Sequence, residues 1–100
     1  TNLKVLYLYD NQIEVIENLD FSGLLSYVYL QNNLISVMPT INLASLVKLY
    51  LDDNEIIDPV PLYRLPALRE LELSGNAALQ CPKSGSLEQV ATLVLPTHCN

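Results

Sequence analysis

The sequence predicts a right-handed α/β solenoid of five turns, with a parallel β-sheet on the concave face and short 3₁₀ or extended segments on the convex side. Two observations lead to this fold class. The pattern L-x-x-L-x-L recurs along the 100 residues at steps of 21 or 22. An asparagine follows each of the first four copies at the same distance. Repeats of this length form stacked turns, and each turn buries its apolar side chains against its neighbours.

Each predicted turn begins with a short strand. The turns start near residues 3, 25, 46, 68 and 90. Val28 replaces the second leucine of the second copy, and Val90 replaces the first leucine of the last copy. The two closely spaced leucines of a strand point to one side, and the residue between them points to the other. Strands of successive turns can therefore stack in parallel with their leucines inward. We treat residues 1–100 as a single repeat array.

We expect an asparagine at the point where the chain leaves each strand, where it stabilises the turn that follows. Its side-chain amide can donate to and accept from backbone groups of neighbouring turns, which would otherwise be buried without partners. One asparagine per turn then forms a structural ladder. His98 stands at the fifth position and either caps the ladder or lies at a frayed end. The ladder residues are Asn11, Asn33, Asn54 and Asn76.

The convex half of each turn carries apolar residues at fixed distances after the ladder. Four prolines and a short repeat leave little room for α-helices. We expect 3₁₀ or extended pieces, with one helical turn around Leu19–Leu24 or Ser86–Val90. Cys81 is expected in the core in place of isoleucine. The recurring positions are Ile13, Ile35, Ile56 and Ala78; Ile16, Met38, Pro59 and Cys81; Leu19, Ile41, Leu62 and Ser84; and Leu65 and Leu87.

The full repeat, L-x-x-L-x-L-x-x-N-x-I-x-x-I, resembles the short, 22-residue class of leucine-rich-repeat proteins. That class includes a nuclear regulatory subunit of protein phosphatase 1 and cytoskeletal, ciliary and centrosomal proteins. The resemblance is clear over residues 3–76 and looser over 77–98. It departs at Asp58-Pro-Val-Pro61 and at the missing fifth asparagine. It implies protein binding, with a phosphatase-regulatory or cytoskeletal adaptor role, although a fold does not specify a partner.

The concave face is predicted to bind the partner. Five of the six tyrosines and several acids fall on this face. Tyrosine is enriched in binding hot spots, although it also packs well across strands. We expect Tyr7, Tyr29 and Tyr50 to form a ridge of rings that face solvent. The predicted partner-binding residues are Tyr7, Tyr9, Tyr27, Tyr29, Tyr50, Asp52, Asp53, Glu70 and Glu72.

The net charge of −6 narrows the kind of partner. Nucleic acids and anionic membranes bind basic surfaces, so we expect neither as a partner. No apolar run is long enough to span a membrane. The concave face also carries the acid Asp10, and its basic residues are Lys4, Lys48 and Arg69. A protein with a basic or amphipathic surface is the expected partner. The alternatives are a merely solvated face and a purely structural segment of a larger repeat protein or assembly.

Catalytic and metal-binding patterns were sought as well. Neither glycine-rich nucleotide motif occurs. His98 is the single histidine, and its neighbour Cys99 lacks the third group of a catalytic arrangement. Cys81, His98 and Cys99 are one ligand short of a closed tetrahedral site. We therefore predict no enzymatic activity, no cofactor and no metal.

The cysteines bear on location. We expect two reduced thiols in a cytoplasmic protein, or in a nuclear, ciliary or cytoskeletal one. A Cys81–Cys99 bridge would instead indicate extracellular recognition.

The ends of the array bear on assembly. Terminal turns of a solenoid need caps, and neither Thr1-Asn2 nor Cys99-Asn100 is expected to cover one. We therefore expect either a piece of a longer repeat protein or ends that another component covers. By itself, the chain is expected to self-associate through its uncapped ends or to be marginally stable.

Overall fold

One parallel sheet runs through the whole array in the computed structural model, which describes residues 5–16, 25–37, 44–83 and 85–99, apart from the side chain of Arg64. The five strands pair in sequential order, each with the next. One strand per turn confirms the predicted solenoid. The strands are β1 (Val5–Tyr7), β2 (Tyr27–Tyr29), β3 (Lys48–Tyr50), β4 (Glu70–Glu72) and β5 (Thr92–Val94).

The register of the sheet follows from burial of the central residue of each strand. Leu6, Val28, Leu49, Leu71 and Leu93 align across the five strands. The three inner ones are buried, and the two in the edge strands are half-buried. A slip by one residue would expose this whole row, so the apolar pattern specifies the pairing.

The buried apolar residues of the described ranges form one core behind the sheet. The predicted convex positions Leu62, Leu65 and Leu87 are buried in it, as are Ile35 and Ile56. Several other predicted core positions lie outside the described residues, namely Leu19, Met38, Ile41 and Ser84.

The return segment of the third turn contains a 3₁₀ helix, η1 (Val60–Arg64). This segment holds the departure from the repeat noted at Asp58-Pro-Val-Pro61. Asp58 Oδ1 accepts a hydrogen bond from the Val60 N–H at 3.0 Å, and Pro61 lies in the first turn, where a missing N–H costs nothing. The departure is therefore the start of a helix. The predicted helical turn at Ser86–Val90 is wrong, because hydrogen-bonded turns occupy that segment.

The fourth turn shifts by one residue after its ladder asparagine. Leu79 is buried and Ala78 is exposed, so the assignment of Ala78 to the isoleucine column was wrong. The Leu79 N–H donates to the Asn76 carbonyl at 3.1 Å. This tight turn brings the larger apolar side chain into the core, where leucine buries more area than alanine.

The shift also removes Cys81 from the core. Cys81 is exposed and forms a disulfide with Cys99. The expectations of two reduced thiols and of a buried Cys81 were both wrong. Cys99 ends a second 3₁₀ helix, η2 (Thr97–Cys99), which follows the buried Pro96. Cys99 thus fastens the final turn to the fourth.

No helix within the described ranges is long and apolar enough to cross a membrane.

Candidate functional site

The outer face of the sheet, which is the face predicted above to be concave, carries the side chains that flank the central residue of each strand. The register places Tyr7 beside Tyr29 and Tyr29 beside Tyr50. The rings of Tyr7 and Tyr29 are nearly parallel, with centroids 4.8 Å apart. Those of Tyr29 and Tyr50 meet edge to face at 5.0 Å. We call these three residues the tyrosine ridge, which extends over β1, β2 and β3 as the stacking predicts.

The exposure of the rings falls along the ridge. Tyr7 is 63% exposed, and its neighbours Tyr9 and Tyr27 are also exposed. Tyr29 and Tyr50 are both half-buried, because neighbouring rings cover part of their surface. The expectation that all the rings face solvent was therefore wrong for these two. Cross-strand packing orders the middle of the ridge, while its first turn offers open aromatic surface.

The second column of the outer face is held by an ion pair. Lys48 Nζ lies 3.3 Å from Glu70 Oε2 and 5.3 Å from the centroid of the Tyr27 ring. The hydrogen bond to Glu70, and then the negative charge of Glu70, raise the pKa of Lys48. Burial, and then a hydrogen bond with Glu70, raise the pKa of Tyr50. Glu70, a predicted partner-binding residue, is thus already paired within the chain.

Unpaired acceptors lie beside the ridge. Burial raises the pKa of the Asp52 carboxyl, and the negative charges of the nearby Glu72 and Asp53 raise this pKa further. A backbone hydrogen bond to Asp52 has the opposite effect and lowers the pKa. The Oδ1 atom of Asp52 and the Oε1 atom of Gln31 are both buried and have no hydrogen-bond partner in the described part of the chain. Glu72 accepts a hydrogen bond from Ser74 Oγ at 2.7 Å. We call Asp52 and Glu72 the acid patch.

The residue before each ladder asparagine has a left-handed backbone. The φ angles are 59° at Asp10 and Asn32, 57° at Asp53 and 79° at Gly75. Asparagine, aspartate and glycine tolerate this conformation best. The sequence analysis missed this requirement, although the recurrence of these three residue types before the ladder was its signal. The identity of Asp53, a predicted partner-binding residue, is explained by the backbone.

The asparagine ladder is formed as predicted from the second turn onwards. Asn33, Asn54 and Asn76 are buried. Asn54 Nδ2 donates to the carbonyls of Leu30 and Leu51 at 3.0 Å each, and its Oδ1 accepts from the Ile35 N–H at 3.0 Å. Each ladder residue thus joins its own turn to the preceding one.

The two ends of the ladder differ from its middle. Asn11 is exposed and donates only to Leu8 and Tyr9 of its own turn. His98 does not continue the ladder pattern, because its Nε2 contacts the Leu79 carbonyl at 2.8 Å.

The remaining predicted features of the face are peripheral. Arg69 Nη1 donates to the carbonyls of Pro66 and Leu68 at the start of β4, and Lys4 lies outside the described residues. We call the side of the array that carries Asn33, Asn54 and Asn76 the ladder edge. A depression of about 540 Å³ lies along it. Glu55 is the one ionisable group in its described lining. Its described lining therefore contains no pair of ionisable groups.

Comparison with known proteins agrees with this geometry. The family model described as Leucine Rich Repeat matches residues 2–24. No curated protein matches the chain. Stacked repeats of this kind present extended concave surfaces that bind other proteins. The family match, the parallel sheet with one strand per turn and the asparagine ladder together support a leucine-rich-repeat protein.

Proposed function

We propose that the outer sheet face binds a protein segment that carries apolar side chains next to lysine or arginine. The observation that carries the proposal is the tyrosine ridge, which is open at Tyr7 and lies next to the acid patch. The fold requires neither feature, because both point away from the core.

The ridge supplies the apolar half of the interface. Tyrosine offers a large contact area with few rotatable bonds. The ring contacts of Tyr7 with Tyr29 and of Tyr29 with Tyr50 already restrict these side chains. Binding then costs less conformational entropy, since the surface is ordered before the partner arrives.

The acid patch supplies the charged half. Lys48 neutralises Glu70, so it does not neutralise Asp52 or Glu72. A lysine or arginine of the partner would supply a positive charge beside these two carboxylates, and their negative potential would speed its approach.

Narrower roles follow only from the resemblance to the short repeat class. A phosphatase-regulatory or cytoskeletal adaptor role stays a prediction, as does the alternative of a purely structural segment. Leucine-rich-repeat proteins are typically non-enzymatic, and we propose the same for this chain.

The disulfide bears on where binding takes place. Disulfides persist in oxidising compartments and are rare in the cytosol. The Cys81–Cys99 bridge therefore favours extracellular recognition over the cytoplasmic location predicted from the sequence. Thiol titration of the denatured chain, taken from its native source, would decide. Two free thiols would contradict the extracellular proposal.

The binding face can be tested with two substitutions of equal exposure. Tyr7 and Val15 are 63% and 64% exposed, and Val15 lies after Asn11, outside the five strands. A photo-crosslinking residue at position 29 would capture the partner, whose affinity for purified variants is then measured. Tyr7→Ala should weaken binding by about 2 kcal/mol, and Val15→Ala should not. The reverse result would place the interface on the return side and contradict the proposal.

A further inference from the structure

Three metal-ligating side chains meet beside the last turn. Cys81, His98 and Cys99 each offer one ligand atom, and these atoms lie within 4.8 Å of one another. Cys81 and His98 are exposed, so the group is open to solvent. The two sulfurs are joined in a disulfide, and in that state they are not available to a metal.

A hydrogen bond restrains the imidazole of His98. Its Nε2 lies 2.8 Å from the Leu79 carbonyl oxygen. Because a carbonyl can only accept, Nε2 carries the proton in this contact, and Nδ1 of the neutral ring keeps a free lone pair. Zinc-binding histidines are commonly oriented by a hydrogen bond of this kind from the second ring nitrogen.

The backbone holds the two cysteines close by contacts other than the bridge. Their Cα atoms are 5.4 Å apart. On one side, Leu79 is buried two residues before Cys81. On the other, the Cys99 N–H donates to the carbonyl of the buried Pro96 at 2.9 Å, and β5 pairs with β4. Opening the bridge therefore leaves both residues in place.

We propose that reduction of the Cys81–Cys99 bridge converts this group into a site for one Zn²⁺ ion, held by both sulfurs and by His98. The reductant is a dithiol: it loses two electrons and becomes a disulfide, while Cys81 and Cys99 become thiols. Zn²⁺ then replaces both thiol protons, which pass to solvent. Thiolate and imidazole ligands favour zinc over magnesium or calcium.

The spacing suits this ion. Zn–S bonds of about 2.3 Å and Zn–N bonds of about 2.0–2.1 Å place tetrahedral ligand atoms roughly 3.5–3.8 Å from one another. Side-chain rotation alone reaches these separations from a group that lies within 4.8 Å. The sequence-based exclusion of metal assumed four protein ligands, whereas three suffice when water fills the fourth position. Either the bridge or the metal then fastens the last turn to the fourth.

The test uses the full chain in its oxidised and reduced forms, titrated with Zn²⁺ against a chromophoric chelator and, separately, with Co²⁺. We expect the reduced chain to bind one Zn²⁺ ion and to release protons as it does so. With Co²⁺ it should show a thiolate-to-cobalt absorption band. The oxidised chain should bind none. Zn²⁺ should raise the melting temperature of the reduced chain but not that of the oxidised chain.

Two variants separate ligation from folding. Cys81→Ser should abolish the cobalt thiolate spectrum expected for two sulfurs. His98→Asn keeps both thiols and should weaken Zn²⁺ binding at least about tenfold, with the circular dichroism of the reduced chain unchanged. Equal Zn²⁺ affinity of the oxidised and reduced chains would overturn the proposal. So would an unchanged affinity in His98→Asn, or a reduced chain that binds no Zn²⁺.

Discussion

The ladder edge and the outer sheet face lie side by side in every turn, yet they use polar residues in opposite ways. On the ladder edge, Asn33, Asn54 and Asn76 are buried, and their amides are paired with backbone groups. On the outer face, Tyr7 is open to solvent and Asp52 keeps an unpaired oxygen. In the second, third and fourth turns the backbone requires the first set of residues, whereas it requires nothing of the second set. The difference indicates which residues maintain the fold and which are free to serve recognition.

Two adjacent acids show this division at closest range. Asp53 has a φ of 57° and is exposed, so its residue type answers a backbone requirement. Asp52 is half-buried with a raised carboxyl pKa, and no repeated backbone requirement explains its charge. Burial makes the charge of Asp52 unfavourable in the folded state.

The largest effect is expected from breaking the ladder. Asn54→Ala should lower the free energy of unfolding by about 2–3 kcal/mol, because buried carbonyl and N–H groups lose their partner. Asn11→Ala is the matched control: its amide is exposed and bonded only within its own turn, so a change within about 0.5 kcal/mol is expected. Denaturant unfolding measures both. Equal losses would show that burial does not distinguish the two positions.

A smaller effect is expected where the left-handed backbone is combined with close packing. A Cβ at Gly75 would overlap the Asp53 Oδ1 atom and lie 3.0 Å from the backbone nitrogen of Asp53, whereas one at Gly85 would meet only Glu88 at 3.4 Å. Both glycines have positive φ. Gly75→Ala should cost about 2 kcal/mol of stability and Gly85→Ala about 1 kcal/mol. If thermal unfolding ranks them the other way, the contact with Asp53 is not the constraint.

The middle of the tyrosine ridge should contribute both to stability and to binding. Tyr29→Ala removes ring contacts with Tyr7 and with Tyr50, and it should lower the free energy of unfolding by about 1 kcal/mol. Tyr9 has one edge contact, at 6.2 Å, and Tyr9→Ala should cost less than half as much. Partner affinity should fall in both variants. Unchanged affinity in both would leave the ridge a packing feature only.

The smallest effect is expected at Asp52, and its sign distinguishes function from folding. Burial raises the folded-state pKa of this carboxyl, so the folded state favours the protonated form. Stability from this group is present below the unfolded pKa of about 3.9 and is lost as the pH rises through the folded pKa. Asp52→Asn should therefore stabilise the chain at pH 7, and the gain should vanish below pH 3.9 or so.

The same variant should slow partner association and reduce its salt dependence. Glu55→Gln, at an exposed acid on the ladder edge, is the control for net charge. An Asp52→Asn chain that is less stable at pH 7 would contradict the argument from burial.

Features that recur in every turn could be predicted from the sequence. The strand positions, the columns of the outer face and the ladder each have a cause that repeats at 21 or 22 residues, and the pairing register agrees with them. Prediction failed at the fourth turn. The choice between Ala78 and Leu79 as the buried residue depends on a local turn at Asn76 that the other copies lack.

By itself, the sequence determined the period of this protein, and with it the parallel register and the line of buried asparagines. Only the tertiary structure decided that Lys48 pairs with Glu70, that Asp52 keeps an unpaired oxygen and that Cys81 reaches Cys99. The physical reason is the range of each cause. A repeat pattern specifies what one turn needs from its own backbone and from the core. Pairs such as Cys81 and Cys99, which are 18 residues apart, depend on distances between side chains of different turns that no single copy of the repeat contains.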